Sequence, residues 1–332
     1  MKHPATRERV HQGLRSTGLV SLIIIATLVV AEIALRIADP RIFREDKSER
    51  SLTYDYDAEL GWAPIPNSSS LVTLERTIHA RHNSLGLRDI ELERDARPTM
   101  LFIGDSMVWG ADAEASERFT DILRSRIINY TIVNAGVSGF GSDQEYLWLQ
   151  RLWPKIEPAV VVLTFCTHND RSDNATNVRY GGNRKPYFAT DTDGALVLRG
   201  QPVPKSRQLY IREHWLVRHL WLARLFASAY VEIRYRQLWV PDPTERLVGK
   251  IRDFVVARGA RLLVGLQVDD DKLVRYLQAE KIPFVAYDGA EAYSDRSGAH
   301  WTPAGHRLVA DRLLGLLAEN DIVEAANAPA VQ

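Results

Sequence analysis

The chain of 332 residues has a single cysteine, Cys166. One thiol excludes an intrachain disulfide and any zinc site built from several cysteines. Set inside an apolar run, Cys166 reads as a small buried residue. An excess of one charge is also missing, because 42 Lys and Arg stand against 42 Asp and Glu. Nucleic acid calls for a basic face, so no nucleic-acid partner is expected. Internal repeats are absent. The one glycine-rich turn, Asn134-Ala135-Gly136-Val137-Ser138-Gly139-Phe140-Gly141, lacks the spacing of a dinucleotide fingerprint. What remains is ordinary for a globular protein, with 45% hydrophobic and 25% charged residues.

Only the N-terminus carries a long apolar run. A basic tail, 1–15, precedes an uncharged stretch, 16–31, that extends through Ile33, Ala34, Leu35 and Ile37 to span length. The expectation is an uncleaved transmembrane signal anchor over 16–38, with cleavage after Val29-Val30-Ala31 as the alternative. Glu32 and Arg36, spaced to pair at i,i+4, fall near its far end. Basic residues flank both ends, so the charge count alone is close to a tie. The short basic tail before a first apolar segment places the bulk of the chain outside the cytoplasm, periplasmic or at the cell surface.

Residues 39–98 read as a charged linker followed by irregular strands and loops. From residue 99 apolar strands (99–103, 131–134, 159–165, 261–266, 283–287) alternate with helical patterns (about 116–128, 142–153, 243–258, 271–280, 303–319). Alternation of this kind predicts an α/β fold, a three-layer sandwich around a parallel, flavodoxin-like five-stranded sheet. It occupies 99–320, with an insertion at 171–240 and a short tail at 321–332. The insertion holds a hairpin signal at Asp193-Gly194 and then a helical stretch, 211–239, mixing Trp215, Trp221, Phe226, Tyr230 and Trp239 with arginines. The expectation is that its aromatics pack on the core and its arginines are solvated. A lid, or a face resting on a membrane, is the alternative.

Right-handed crossovers bring all five strand ends to one rim, where ligands of such sheets bind. Four polar segments fall there. Gly104-Asp105-Ser106 ends the first strand and opens a helix, placing a hydroxyl beside free N–H groups. Serine needs a base to act as a nucleophile. The glycine turn at 134–141 follows the second strand and lets backbone approach a ligand. Thr167-His168-Asn169-Asp170 follows the third, and its Asn can donate an amide to an oxyanion. His300 lies in a late loop, within reach of the rim as a general base. Thr302 and Pro303 then cap a final helix on which His306 is structural. Asp269-Asp270-Asp271 reads as a helix cap rather than a cation site.

Together these segments resemble the SGNH/GDSL hydrolase superfamily over about 99–320. The resemblance implies Ser106 as nucleophile and His300 as base. It also implies an oxyanion hole from the N–H groups of Ser106 and Gly139 and the amide of Asn169, with no metal or cofactor. Leu60-Gly61-Trp62 and Asn83-Ser84-Leu85-Gly86-Leu87-Arg88-Asp89 are similar to a membrane-anchored bacterial branch. Met107 and Thr167 depart from the family's Leu and Gly. More important, Ser297 stands where the family has the Asp of its triad. Asp295 is the nearest carboxylate upstream of His300 and is the expected third member. The alternatives are a dyad oriented by a backbone carbonyl, or impaired catalysis. The implied activity is ester hydrolysis, with an O-acylated cell-surface glycan as the expected substrate. An O-acetyltransferase and a carbohydrate-binding or assembly protein are the rivals.

Overall fold

The structure, a computed structural model, describes residues 4–44, 53–93, 96–180, 182–294 and 299–324. It divides into two compact units, residues 1–46 with 205–236 and residues 47–204 with 237–332. The helical part of the expected insertion therefore groups with the N-terminal helix, and its hairpin part with the sheet.

In chain order the elements begin with helix α1 (Pro4–Ala38), hairpin β1 (Tyr54–Asp57) and β2 (Gly61–Pro64), and hairpin β3 (Ser69–Thr73) and β4 (Thr77–Arg81). Then come β5 (Thr99–Gly104), α2 (Ser106–Trp109), α3 (Phe119–Arg126), β6 (Thr131–Asn134), α4 (Ser142–Ile156), β7 (Val160–Phe165) and α5 (Asp170–Asn174). Two short antiparallel pairs follow, β8 (Val178–Arg179) with β9 (Asn183–Arg184) and β10 (Tyr187–Thr190) with β11 (Leu196–Arg199). Helices α6 (Arg207–Glu213), α7 (Trp215–His219) and α8 (Trp221–Arg234) precede α9 (Thr244–Val256), β12 (Arg261–Leu266), α10 (Asp271–Ala279), β13 (Phe284–Ala286) and α11 (Pro303–Glu319).

The second unit is built on one parallel sheet of five strands in the order β13-β12-β7-β5-β6. Counted along the chain this is 2-1-3-4-5, the flavodoxin-like order, with its switch point between β5 and β7. Both faces of the sheet are covered, which explains why its strands read as continuous apolar runs. Leu101, Ile103, Val161, Leu163 and Val264 point to one side, onto Leu149, Leu152, Ile251 and Leu273 of α4, α9 and α10. Met100, Phe102, Val160, Val162 and Leu263 point to the other, onto Phe119, Leu123, Val309 and Leu313 of α3 and α11. The three layers expected from the alternating pattern are thus present. α11 starts as its sequence dictates: the Thr302 hydroxyl accepts from Gly305 N at 3.2 Å, with Pro303 at the first helical position.

In the first unit, α1 is long and apolar enough over Arg15–Ala38 to cross a membrane, and none of that window is buried. Near its end Glu32 and Arg36 pair at 2.7 Å, the i,i+4 contact their spacing implies. The same two side chains hold the neighbouring helices. The Glu32 carboxylate accepts from Trp221 N and Leu222 N, at 3.0 and 2.8 Å, at the start of α8. The Arg36 guanidinium donates to His219 O at 2.6 Å, at the end of α7. An anion at a helix start and a cation at a helix end both complement the helix dipole. The aromatics of this segment depart from expectation. Trp215, Phe226 and Tyr230 lie on the surface rather than in a core.

Gly265, in the middle of β12, is a space requirement. A Cβ there would sit 1.8 Å from the Tyr287 hydroxyl, which is itself fully buried. Gly265→Ala is therefore expected to destabilise the sheet unit by about 1–3 kcal/mol in urea unfolding. The double variant Gly265→Ala/Tyr287→Phe, which removes that hydroxyl, should recover part of the loss.

Candidate active site

The site begins with the abrupt end of β5. Asp105 caps the single turn α2, its carboxylate accepting from Met107 N at 2.9 Å, and this sets Ser106 at the first position of the turn. Ser106 and His300 are both buried, at 9% and 6% exposure, so water screens their contact little. His300 Nε2 lies 3.0 Å from Ser106 Oγ. On its other side His300 Nδ1 lies 3.0 Å from Asp112 Oδ2. A hydroxyl, an imidazole and a carboxylate are thus connected in series, the arrangement that lets an imidazole take a serine proton.

The carboxylate in this series differs from the expected one. Asp295 lies outside the described residues, and the group at His300 Nδ1 belongs to Asp112, six residues after the serine. Asp112 sits at φ 61°, a left-handed conformation uncommon outside glycine. Its second oxygen, Oδ1, accepts from Glu75 N at 2.8 Å and Arg76 N at 2.9 Å, at the turn between β3 and β4. Burial opposes ionisation of Asp112, but the His300 hydrogen bond and these two N–H groups outweigh it and hold the carboxyl below its ordinary range. The Ser–His dyad without a carboxylate is therefore not the arrangement seen.

The backbone around Asp112 is clamped by Arg88. This buried guanidinium donates to Trp109 O at 3.1 Å, Gly110 O at 2.5 Å and Ala113 O at 2.7 Å. It also lies over the Trp109 ring, 4.5 Å from the centroid. Burial and the neighbouring Arg118 lower Arg88 to about 9, so it stays charged at neutral pH.

The glycine turn starts beside the end of β5. Ala135 N donates to Phe102 O at 2.8 Å and Val137 N to Gly104 O at 3.0 Å, two residues before Ser106. Gly139 has φ 78°, and a Cβ there would strike the Tyr180 ring. Upstream residues hold this turn from behind. Ser138 N donates to the Tyr54 hydroxyl at 3.0 Å, and the Trp62 indole donates to Ser138 O at 3.2 Å. Among the described residues, neither Ser106 N–H nor Gly139 N–H has a protein acceptor.

Asn169 reaches the same rim, but its amide already has partners. Its Nδ2 donates to Asp173 at 2.7 Å and to Asp170 at 3.2 Å, and its Oδ1 accepts from the Cys166 thiol at 2.8 Å. Behind it lies a group of buried acids. Asp143 pairs with the fully buried Lys185, and Asp173 with Arg179 at 2.6 Å. Glu145 has no hydrogen-bond partner for either oxygen among the described residues. Burial, reinforced by neighbouring carboxylates, pushes Glu145 and Asp170 well above their ordinary range and Asp173 up to about 6. Burial likewise keeps the Cys166 thiol protonated. His306 is packed against Phe119, and burial lowers it to about 3, a structural imidazole as its helix position implies.

Asp112 was not singled out in the sequence. Its only local signal is a short Gly110-Ala111-Asp112-Ala113 run after the serine helix. The contact that matters joins it to a residue 188 positions away.

No family model matches the chain, and no curated protein matches it either. The chain is similar in structure to TesA at 16% identity, with 67% of this chain and 98% of that one covered and a TM-score of 0.40. A GDSL-like lipase from Bacteroides thetaiotaomicron matches at 14% identity, covering 67% and 88%, with a TM-score of 0.36. An acylhydrolase described as putative, from Bacteroides fragilis, matches at 15% identity, covering 68% and 90%, with a TM-score of 0.37.

Two outcomes follow from this geometry. Arg88→Met removes the guanidinium donor from Trp109 O and Ala113 O and leaves Gly110 O with Ala113 N alone, and should lower unfolding stability by about 2–4 kcal/mol in urea titration. Glu145→Gln tests the protonated carboxyl. A group raised in the folded state favours folding at low pH and loses that contribution as pH rises toward its folded value. Relative to wild type, Glu145→Gln should therefore gain about 1.4 kcal/mol for each pH unit between the ordinary glutamate range and the raised folded-state value, and no more beyond it. Urea unfolding at pH 5, 6 and 7 measures the slope.

Proposed function

We propose that this chain is a serine esterase or acyl hydrolase of the SGNH type. The observation that carries the reading is the Ser106–His300–Asp112 series, with both links at 3.0 Å. In the proposed reaction Ser106 Oγ attacks an ester carbonyl as His300 Nε2 takes its proton. Asp112 stabilises the imidazolium that forms. The carbonyl oxygen becomes an oxyanion, held by the N–H groups of Ser106 and Gly139. Asn169 is a third donor, its 3.2 Å contact to Asp170 being the weaker of two and the one an oxyanion would replace. Collapse expels the alcohol, protonated by His300, and leaves an acyl-serine. Water, deprotonated by the same imidazole, attacks the acyl-serine and releases the acid.

Location narrows the substrate. Over Arg15–Ala38 α1 has the length and apolarity of a membrane anchor, and basic residues precede that apolar run. We read it as an uncleaved signal anchor that holds the hydrolase outside the cytoplasm. An O-acyl group, such as acetyl, on a cell-surface glycan is then the ester within reach.

Labelling the full chain in detergent with a fluorophosphonate serine probe tests the chemistry. Wild type should label, and Ser106→Ala should abolish labelling. His300→Ala should slow it by at least about 10³-fold and Asp112→Asn by about 10²–10⁴-fold. Asn169→Ala should cut ester turnover by about 10²–10³-fold, and unchanged turnover would remove Asn169 from the oxyanion hole. A folded wild type that never labels would overturn the esterase reading in favour of a carbohydrate-binding or assembly role.

A further inference from the structure

Helix α8 is amphipathic with its faces reversed for a water-facing helix. Ser228 and Val231 are buried, whereas Phe226, Tyr230 and Ile233 are 66%, 51% and 84% exposed. Together with Ala229 they fall at i, i+3, i+4 and i+7, which makes one continuous apolar stripe. Leu225, at 40% exposure, flanks the stripe. α7 adds Trp215 and Leu216, exposed at 69% and 57%. An outward apolar face of this extent marks a surface that something covers.

The place of α7 and α8 says what covers it. Glu32 holds the N-terminus of α8 and Arg36 the C-terminus of α7, both within the last two turns of α1. Phe43, just beyond α1, packs edge-on against Trp221 at 5.9 Å, and its carbonyl accepts from Arg224. If α1 crosses a bilayer, these contacts fix α7 and α8 at the level where the apolar run ends. That level is the lipid–water boundary, where Trp and Tyr concentrate and Arg side chains reach headgroups. Charge agrees with the position. Residues 205–236 hold seven Lys and Arg against two Glu, in a chain whose total charge is balanced. A basic helix with an apolar stripe is the composition of a segment that lies in an anionic membrane surface.

The geometry points to α7 and α8 as an interfacial platform. Phe226, Tyr230 and Ile233 insert into the outer part of the bilayer beside α1, and the surrounding arginines meet anionic headgroups. This rests on the reading of α1 as a membrane anchor and extends it: the chain has two lipid contacts, one crossing the bilayer and one lying in its surface.

Nitroxide accessibility in the full chain tests it. In a Cys166→Ala background reconstituted into phosphatidylethanolamine–phosphatidylglycerol vesicles, single labels are placed through Ile25→Cys, Phe226→Cys, Glu232→Cys and Ile233→Cys. Labels at 226 and 233 should favour oxygen over a water-soluble nickel chelate by about tenfold more than the label at 232, in the manner of the label at 25. Equal chelate access at 226, 232 and 233 with residue 25 in lipid would overturn the platform and leave the anchor standing. Chelate access at 25 as well would overturn both. Protection of 226 and 233 from both reagents would mean that protein covers the stripe, and the lipid assignment would fail.

Discussion

The candidate site depends on where one carboxylate is held. Asp112 must present one oxygen to His300, and it does so from a left-handed backbone conformation that costs free energy. That conformation persists because its neighbours determine it from three sides. Arg88 grips the carbonyls before and after it, the β3–β4 turn donates two N–H groups to its other oxygen, and His300 takes the first. The hairpins before the sheet are therefore structural parts of the site. Tyr54 and Trp62 do for the Gly139 turn what Arg88 and the β3–β4 turn do for Asp112.

Behind the rim, burial works against the charged form of several acids. Five acids crowd near the strand ends: Asp105, Asp143, Glu145, Asp170 and Asp173. Two have cationic partners at hydrogen-bond distance, Asp143 with Lys185 and Asp173 with Arg179. Glu145 and Asp170 have none, and burial with neighbouring carboxylates pushes both well above the ordinary carboxylate range. Asp112 is the contrast, buried in side-chain terms yet ionised because three donors surround it. Two classes of buried acid thus sit within one site: Asp112, where hydrogen bonds outweigh burial, and Glu145 and Asp170, where burial and neighbouring carboxylates prevail.

Much of this was legible in the sequence. Continuous apolar strands alternating with amphipathic helices gave the doubly covered parallel sheet, because a strand buried on both faces has no polar alternation to lose. Ser106 was legible because a break at a strand end is locally encoded, and His300 because its loop runs into a helix start marked by Thr302 and Pro303. Asp112 was not, for two physical reasons. Its role arises from a contact across 188 positions, and its backbone conformation is imposed by Arg88 rather than by its own residue type. The surface of α8 was misread for a related reason. An aromatic-rich amphipathic helix looks the same whether its stripe meets a core or a bilayer, and only its neighbours tell them apart.

Ser106 and Asp112 share one short segment, 106–112, while His300 comes from a loop 188 positions beyond Asp112. The proposed relay therefore has a fixed half and a half consisting of one side chain. The carboxylate at the imidazole is the one six residues after Ser106. In the proposed relay the acid is thus supplied by the serine's own segment, and Ser297 in place of a carboxylate is a neutral difference for that relay.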